Sequence, residues 1–167
     1  MTAIDYRDLK RHEHPLDIVE RLASSQDRPF DRLGDDEITL MVPGAWGVYH
    51  VAFNWLDTME ALHLACAIDI KVPDRRRSEI NELVSRINEQ LWIGHFDLWT
   101  DDNSVLFRHS LILSGGADPT GQQCEALLDI AVESCNRHYQ AFQFVLWAGK
   151  SPAEALAASM FETAGEA

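Results

Sequence analysis

Three histidines could carry the most specific chemistry in this chain, because each lies in a segment whose hydrophobic pattern predicts a β-strand. They are His50, His63 and His109. Imidazoles that converge from neighbouring strands can hold a metal ion. Isolated strand histidines are more often hydrogen-bonded residues at the edge of a core, and the sequence alone does not bring these three together. A metal or small-ligand site built from the strand histidines is therefore kept as an alternative hypothesis.

Other patterns that could carry chemistry are incomplete. The loop Ser114-Gly115-Gly116 between a strand and a helix is laid out like a phosphate cradle, but it lacks the lysine of a P-loop, and Asp118 would repel an anion. The doubled acids Asp35-Asp36 and Asp101-Asp102 lack the alternating oxygen ligands of a calcium loop. No pair of residues stands out for general acid–base catalysis. We therefore predict that the protein is not an enzyme and needs no cofactor.

The charge balance excludes one large class of partner. The chain has 14 lysines and arginines against 27 aspartates and glutamates, which gives a formal net charge of -13 at pH 7. A surface of this sign repels the phosphate backbone of nucleic acids. The same charge favours solubility and can attract a basic segment of another protein.

Cysteine usage and the lack of long apolar runs predict a cytoplasmic protein. Cys66, Cys124 and Cys135 do not have the spacing of a zinc site and are typical of reduced core thiols. The first residues contain no apolar signal region, and no run of the sequence reaches the length of a membrane span. We predict neither secretion nor membrane insertion.

Hydrophobic periodicity predicts one α+β domain over residues 15–167, preceded by a flexible, charged arm over residues 1–14. The predicted order of elements is α-β-β-β-α-β-β-α around an antiparallel sheet. The helices are predicted to begin near Pro15, Pro73 and Thr120, and the strands to cover residues 37–42, 46–55, 61–72, 96–100 and 105–113.

Aromatic residues are concentrated where the second helix meets the closing hairpin. The pattern predicts that this helix ends at Gly94 and turns directly into a strand, with Trp92, Phe96 and Trp99 around the corner. On the long third helix, Phe144 and Trp147 lie off the apolar stripe. Aromatic area of this density must be buried in the core or against a partner. We predict these five residues as candidates for partner binding.

Four segments of the chain resemble the YbjN-type family, labelled "putative bacterial sensory transduction regulators". They are Pro15–Arg21, Glu60–Cys66, Asn88–Asp97 and Phe142–Ser151. The resemblance implies a fold similar to that of the class I chaperones of type III secretion, with the same α-β-β-β-α-β-β-α order. Those chaperones are small, acidic, cytoplasmic dimers that bind extended segments of partner proteins. The resemblance carries no catalytic residue.

These observations favour a non-enzymatic protein-binding or regulatory module, chaperone-like in fold and homodimeric. The aromatic corner is the first candidate surface, and Phe144 with Trp147 is the second. An exposed edge of the antiparallel sheet could also receive an extended peptide as an added strand.

Overall fold

The computed structural model describes residues 10–165, in which one antiparallel sheet of six strands carries helices on one face. The elements in chain order are α1 (Pro15–Ser25), β1 (Phe30–Leu33), β2 (Glu37–Gly44), β3 (Gly47–Leu56), β4 (Ala61–Lys71), α2 (Arg77–Asn88), β5 (His95–Trp99), β6 (Ser104–Ile112), α3 (Gly121–Leu146) and α4 (Pro152–Gly165). The strand order across the sheet is β1-β2-β3-β4-β6-β5, and each neighbouring pair is antiparallel. The predicted α+β class with an antiparallel sheet is confirmed.

Alternation along the strands gives the sheet one buried face and one open face. In β3 the alternate residues Tyr49, Val51, Phe53 and Trp55 are all buried. Successive side chains of a strand point to opposite faces, so the residues between them point away from the core. We call this second side the open face; it includes Asp31, Thr39, Met41, Ala52, Ala65, Ala67, Leu106, Arg108 and His95.

The helices pack their apolar stripes on the buried face. Helix α1 lies against β2 and β3, α3 against β4 and β6, and α2 against β5, while α4 packs on α2 and α3. Helix α3 begins with a capping box, in which the Thr120 hydroxyl accepts from the Gln123 N–H and the Gln123 side chain accepts from the Thr120 N–H. The hydrophobic core therefore lies between the sheet and the helix layer.

The structure has four strands before α2, where the predicted order has three. The additional strand is β1, which pairs with β2 in a register that aligns Phe30 with Leu40. A strand of four residues with only partly buried alternate positions carries too little periodicity to stand out in a sequence.

Helix α2 ends at Asn88, whereas the sequence pattern placed its end at Gly94. The Asn88 side chain accepts a hydrogen bond from the Phe96 N–H at 2.8 Å and donates one to the Phe96 carbonyl at 3.0 Å. This pairing ties the end of the helix to the start of β5 and leaves residues 89–94 as turns. Gly94 has a φ of 73°, which only glycine adopts at little cost, and it completes the reversal.

Residues 1–9 of the predicted arm lie outside the described residues. The last part of that segment is in contact with the domain: the Arg11 guanidinium lies 4.5 Å from the Trp55 ring and 3.1 Å from the Glu60 carboxylate. His14 caps α1, because its Nδ1 accepts from the Leu16 N–H at 3.2 Å. These contacts place Arg11 beside the connection between β3 and β4 and His14 at the start of α1.

Candidate protein-binding surfaces

The three strand histidines do not converge on one site. His63 is aligned with Ser110 and points to the open face, whereas His109 is aligned with the fully buried Leu64 and points to the helix side. His50 lies on the open face in a different row of the sheet. Among residues 10–165, no group of three or more histidines, cysteines or acids is placed to hold a metal ion. The three histidines therefore do not form one metal or small-ligand site.

The loop that resembled a phosphate cradle is filled by the chain itself. The Glu60 carboxylate accepts hydrogen bonds from the N–H groups of Gly115 and Gly116, both at 3.1 Å. Glu60 also pairs with Arg11, so its charge is balanced. An anion would have to displace this carboxylate, which occupies the donors that a phosphate would use.

The cysteines are core residues, as their spacing indicated. All three are free and buried, and the sulfurs of Cys66 and Cys135 are 3.6 Å apart. Hydrogen bonding to Cys66 and burial hold the pKa of the Cys135 thiol well above its usual value, and burial raises the pKa of Cys124 to about 11. Because the thiolate is the reactive form, burial and a raised pKa disfavour reaction of Cys124 and Cys135 in the folded protein.

Trp99 belongs to a polar cluster on the open face. The Arg108 guanidinium lies 5.5 Å from its ring, donates to Asp97 at 3.0 Å, and donates to the Nε2 of His63 at 3.1 Å. Burial, followed by the charge of Arg108, lowers the pKa of His63. His95 completes the cluster through its 3.2 Å contact with Asp97. The cluster holds Trp99 in place with 45% of its surface exposed.

Phe96 is a core residue, and its predicted role in partner binding is wrong. It is fully buried, and its ring packs edge-on against Phe107 at 5.4 Å and His138 at 5.6 Å, with Phe142 at 5.7 Å. The reversal at Gly94 turns the chain so that Phe96 enters the core. The aromatic corner thus separates into one buried ring and the exposed rings of Trp92 and Trp99.

Trp92 is 100% exposed, the most accessible of the large apolar side chains among the described residues. A groove of about 240 Å³ lies beside it, between the turn after α2 and one side of α3. We call this region the Trp92 surface; its residues are Gln90, Leu91, Trp92, Ile93, Ile130, Glu133, Ser134 and Arg137.

The Trp92 surface has an apolar floor and a polar rim. Leu91 and Ile130 are partly buried and pack on the core beneath it. Glu133 and Arg137 form an exposed ion pair of 2.8 Å at its side. Small-molecule sites usually enclose about 300–1,000 Å³, so this groove is better matched to a single side chain of another protein. An exposed aromatic anchor beside an apolar depression with a charged rim is typical of a protein-binding hot spot.

The second predicted patch is separate from the first. Phe144 is partly buried against the core, and the Lys150 ammonium lies 5.9 Å from its ring. Trp147 is 71% exposed just past the end of α3. At 1.5 Å per residue, Trp147 lies about 15 Å along the helix from Arg137. The two exposed tryptophans therefore do not form one continuous surface around the groove.

These features define an α+β protein of a single antiparallel sheet, with exposed aromatic side chains suited to contact with another protein. The chain belongs to the YbjN family, described as "Putative bacterial sensory transduction regulator", with a match over residues 15–144. The family predicted from the four sequence segments is confirmed. In the described part of the chain, every helix is too short or too polar to cross a membrane.

Among the solved structures that resemble the chain are YbjN from E. coli and the ExsC–ExsE complex. The crystal structure of YbjN, a putative transcription regulator from E. coli, is 15% identical, with 72% of this chain and 85% of that chain covered and a TM-score of 0.53. This likeness shows a shared fold. The structure of the ExsC–ExsE complex is 20% identical over 77% of this chain and 92% of that chain, with a TM-score of 0.47. A search of curated proteins gives no match.

Proposed function

We propose that this protein is a non-enzymatic, cytoplasmic regulatory module that holds a segment of a partner protein at the Trp92 surface. The observation that carries the proposal is the complete exposure of Trp92 beside a groove with an apolar floor. The description of the family as a sensory transduction regulator supports a role in signalling.

Trp92 is fully exposed in the free chain, so its burial against a partner would contribute hydrophobic free energy to binding. A tryptophan side chain buries about 250 Å² in a well-packed interface, which corresponds to about 6 kcal/mol at 25 cal/mol per Å². Ordering of the partner and loss of its free motion offset much of this gain. A single anchor of this kind can still dominate the affinity of a small interface.

The chemistry of the surface points to the kind of segment that would bind. The groove accepts one apolar side chain, and Ile93, which is 44% exposed, adds apolar area beside Trp92. The net charge of -13 attracts a basic chain and speeds its approach. A segment with an apolar anchor and basic flanks therefore fits better than an acidic one.

Photo-crosslinking in the native host tests the proposal and identifies the partner. A photoreactive phenylalanine analogue replaces Trp92 in one variant and Trp147 in a matched variant, since both tryptophans are highly exposed. We expect one discrete adduct from position 92, with the crosslinked peptide carrying an apolar residue between basic ones. Equal adducts from both positions, or none from position 92, would exclude the Trp92 surface as the binding site.

A further inference from the structure

Helix α3 has a second groove, on a different flank from the Trp92 surface. The groove measures about 420 Å³ and is bordered by residues 26–29 after α1, residues 41–43 of β2, and Asp129 and Val132 of α3. We propose that this groove, which we call the Asp129 groove, holds a basic side chain of the segment that binds at the Trp92 surface. This role rests on the proposed function, because it adds a second contact to the same partner segment.

The polar groups of the Asp129 groove are mostly acceptors without partners. Asp27 and Asp129 are exposed, and within residues 10–165 neither carboxylate forms an ion pair or a side-chain hydrogen bond. The Oε1 of Gln26 is shielded from solvent and accepts no hydrogen bond in the described part of the chain, while its Nε2 donates to Glu125 at 2.8 Å. Two acids against the single cation Arg28 give the lining a net charge of -1. Because charge-assisted hydrogen bonds to carboxylates are strong, this lining favours a ligand that brings a cationic donor.

The rest of the lining is apolar and includes Met41, Pro43 and Val132. Lysine and arginine carry a charged head on an aliphatic stem, so the stem can pack on these residues while the head reaches Asp27 and Asp129. Small-ligand sites enclose about 300–1,000 Å³, so a groove of about 420 Å³ is large enough for a long side chain. An acidic segment would instead meet like charges.

A free cation would gain little from the Asp129 groove. An exposed pair of opposite charges contributes about fivefold or less to affinity. A basic side chain of a segment already anchored at Trp92 is present at a local concentration in the millimolar range, so it makes the same contact at little further entropic cost. The net charge of -13 adds a general attraction for that side chain. A residue of the anchored segment is therefore favoured over a free polyamine.

One exposed ridge of α3 separates the two grooves. Ile130 and Ser134 border the Trp92 surface, whereas Asp129 and Val132 border the Asp129 groove. Glu133, which lies between them on the helix surface, is exposed. A helix with its side chains is about 10–12 Å across, and an extended chain advances about 3.3 Å per residue. A segment that crosses the ridge therefore places its basic residue about three or four positions from its apolar anchor.

NMR titration of the isotopically labelled full chain tests the groove without any partner. The probe is N-acetyl-lysine methylamide, added to about 100 mM at constant ionic strength because an exposed charge pair is weak. We expect saturable shifts of the amide signals of Met41, Val42 and Asp129, and no such shifts with N-acetyl-norleucine methylamide, which lacks the ammonium group. Asp129→Asn should weaken binding about threefold, whereas the matched control Asp69→Asn, at an exposed acid of β4, should not. Shifts that are absent, or that the norleucine compound produces equally, would overturn the proposal.

Synthetic peptides test the spacing. Each peptide carries one leucine and one lysine in a glycine–serine background, and fluorescence anisotropy measures its affinity. Peptides with the lysine three or four positions from the leucine should bind about three- to fivefold more tightly than those with the two adjacent, and Asp129→Asn should remove this advantage. Equal affinity at every spacing, with the lysine probe still bound, would indicate a site for free cations and overturn the link to the segment. Trp92→Ser should weaken every peptide but leave binding of the lysine probe unchanged, so failure of the Trp92 surface and failure of the Asp129 groove are separate results.

Discussion

Gly94 decides which aromatic ring at the corner between α2 and β5 is buried. Its φ of 73° reverses the chain, and a Cβ at this position would lie 2.2 Å from the Cζ of Phe107. The backbone therefore lies directly on the Phe107 ring. This close approach draws Phe96 into the core and leaves Trp92, on the other side of the turn, in solvent.

Replacement of Gly94 by alanine should destabilise the protein strongly. The added methyl group is strained by the positive φ and collides with the buried Phe107 ring, so we expect a loss of about 2–4 kcal/mol in the free energy of unfolding. Urea denaturation measures this loss. Gly34→Ala is the matched control, because Gly34 has a φ of 68° with no atom within 4 Å of the added Cβ, and it should cost only about 1 kcal/mol. Equal losses would show that the contact with Phe107 does not matter.

His138 should make the folded state sensitive to acid. Burial lowers the pKa of this histidine, whose Nδ1 contacts the Ser134 carbonyl at 2.9 Å. The unfolded chain therefore binds a proton at His138 near pH 6.5, while the folded protein does so only at lower pH. Since the unfolded state then holds more protons, stability falls as the pH drops through this window.

The variant His138→Leu measures this contribution. Its free energy of unfolding should decline less than that of the wild type as the pH is lowered from about 7.5 towards 5, because leucine cannot take up the proton. Urea denaturation at several pH values gives both curves. Parallel curves, or an NMR titration of the His138 ring with a midpoint above the unfolded value, would contradict a lowered pKa in the folded state.

At the residue scale, the sequence identified the aromatic corner but could not sort its members. Trp92, in the turn after α2, is exposed, and Phe96, four residues later, is fully buried. Which way Phe96 points depends on where the strand begins after the turn, and one residue of shift would reverse it. The direction of Phe96 depends on the close approach of Gly94 to Phe107. This contact joins residues that are distant in the sequence, so a local sequence pattern cannot predict it.

At the scale of elements, the junction between α2 and β5 closes an edge of the sheet. Asn88 supplies from its side chain the two hydrogen bonds that an added strand would make with Phe96. Sheet edges commonly need such protection against unwanted pairing. The sequence left open which edge of the sheet could receive a peptide strand. Addition at the edge strand β5 is disfavoured beside Phe96.

Loss of the Asn88 amide should weaken this junction. We expect Asn88→Ala to lower the free energy of unfolding by about 2 kcal/mol, because two hydrogen bonds to a partly buried backbone are lost. Asn81→Ala, on the exposed side of the same helix, should change it by less than about 0.5 kcal/mol. Thermal and urea denaturation of the pair provide the comparison. If the two variants were equally stable, Asn88 would not hold the junction.

The long elements were predictable from periodicity, and the short ones were not. Strands β3 and β4 have sustained alternation and helix α3 has a sustained apolar stripe. The predicted bounds of both strands and the predicted start of the helix agree closely with the observed ones. Strand β1 forms because its residues pair with the edge of β2. This pairing depends on tertiary structure rather than on the local sequence. The end of α2 is set by the bonds of Asn88 to Phe96, eight residues later in the chain.

For the whole molecule, strand register decides which side chains share a face. His63 and His109 both lie on strands that pair with each other, yet the alignment of His109 with Leu64 sends it to the opposite face. Alternation within each strand was readable from the sequence, but the register between strands was not. The same register brings Asp97, His63 and Trp99 around Arg108 on the open face.

Titration calorimetry with the segment captured at position 92 tests the central claim most directly. We predict that Trp92→Ser weakens binding at least about 30-fold, the effect of losing a hot-spot side chain worth about 2 kcal/mol, while Trp147→Ser binds like the wild type. Equal affinity of Trp92→Ser and the wild-type protein for that segment would contradict the claim that this protein holds its partner at the Trp92 surface.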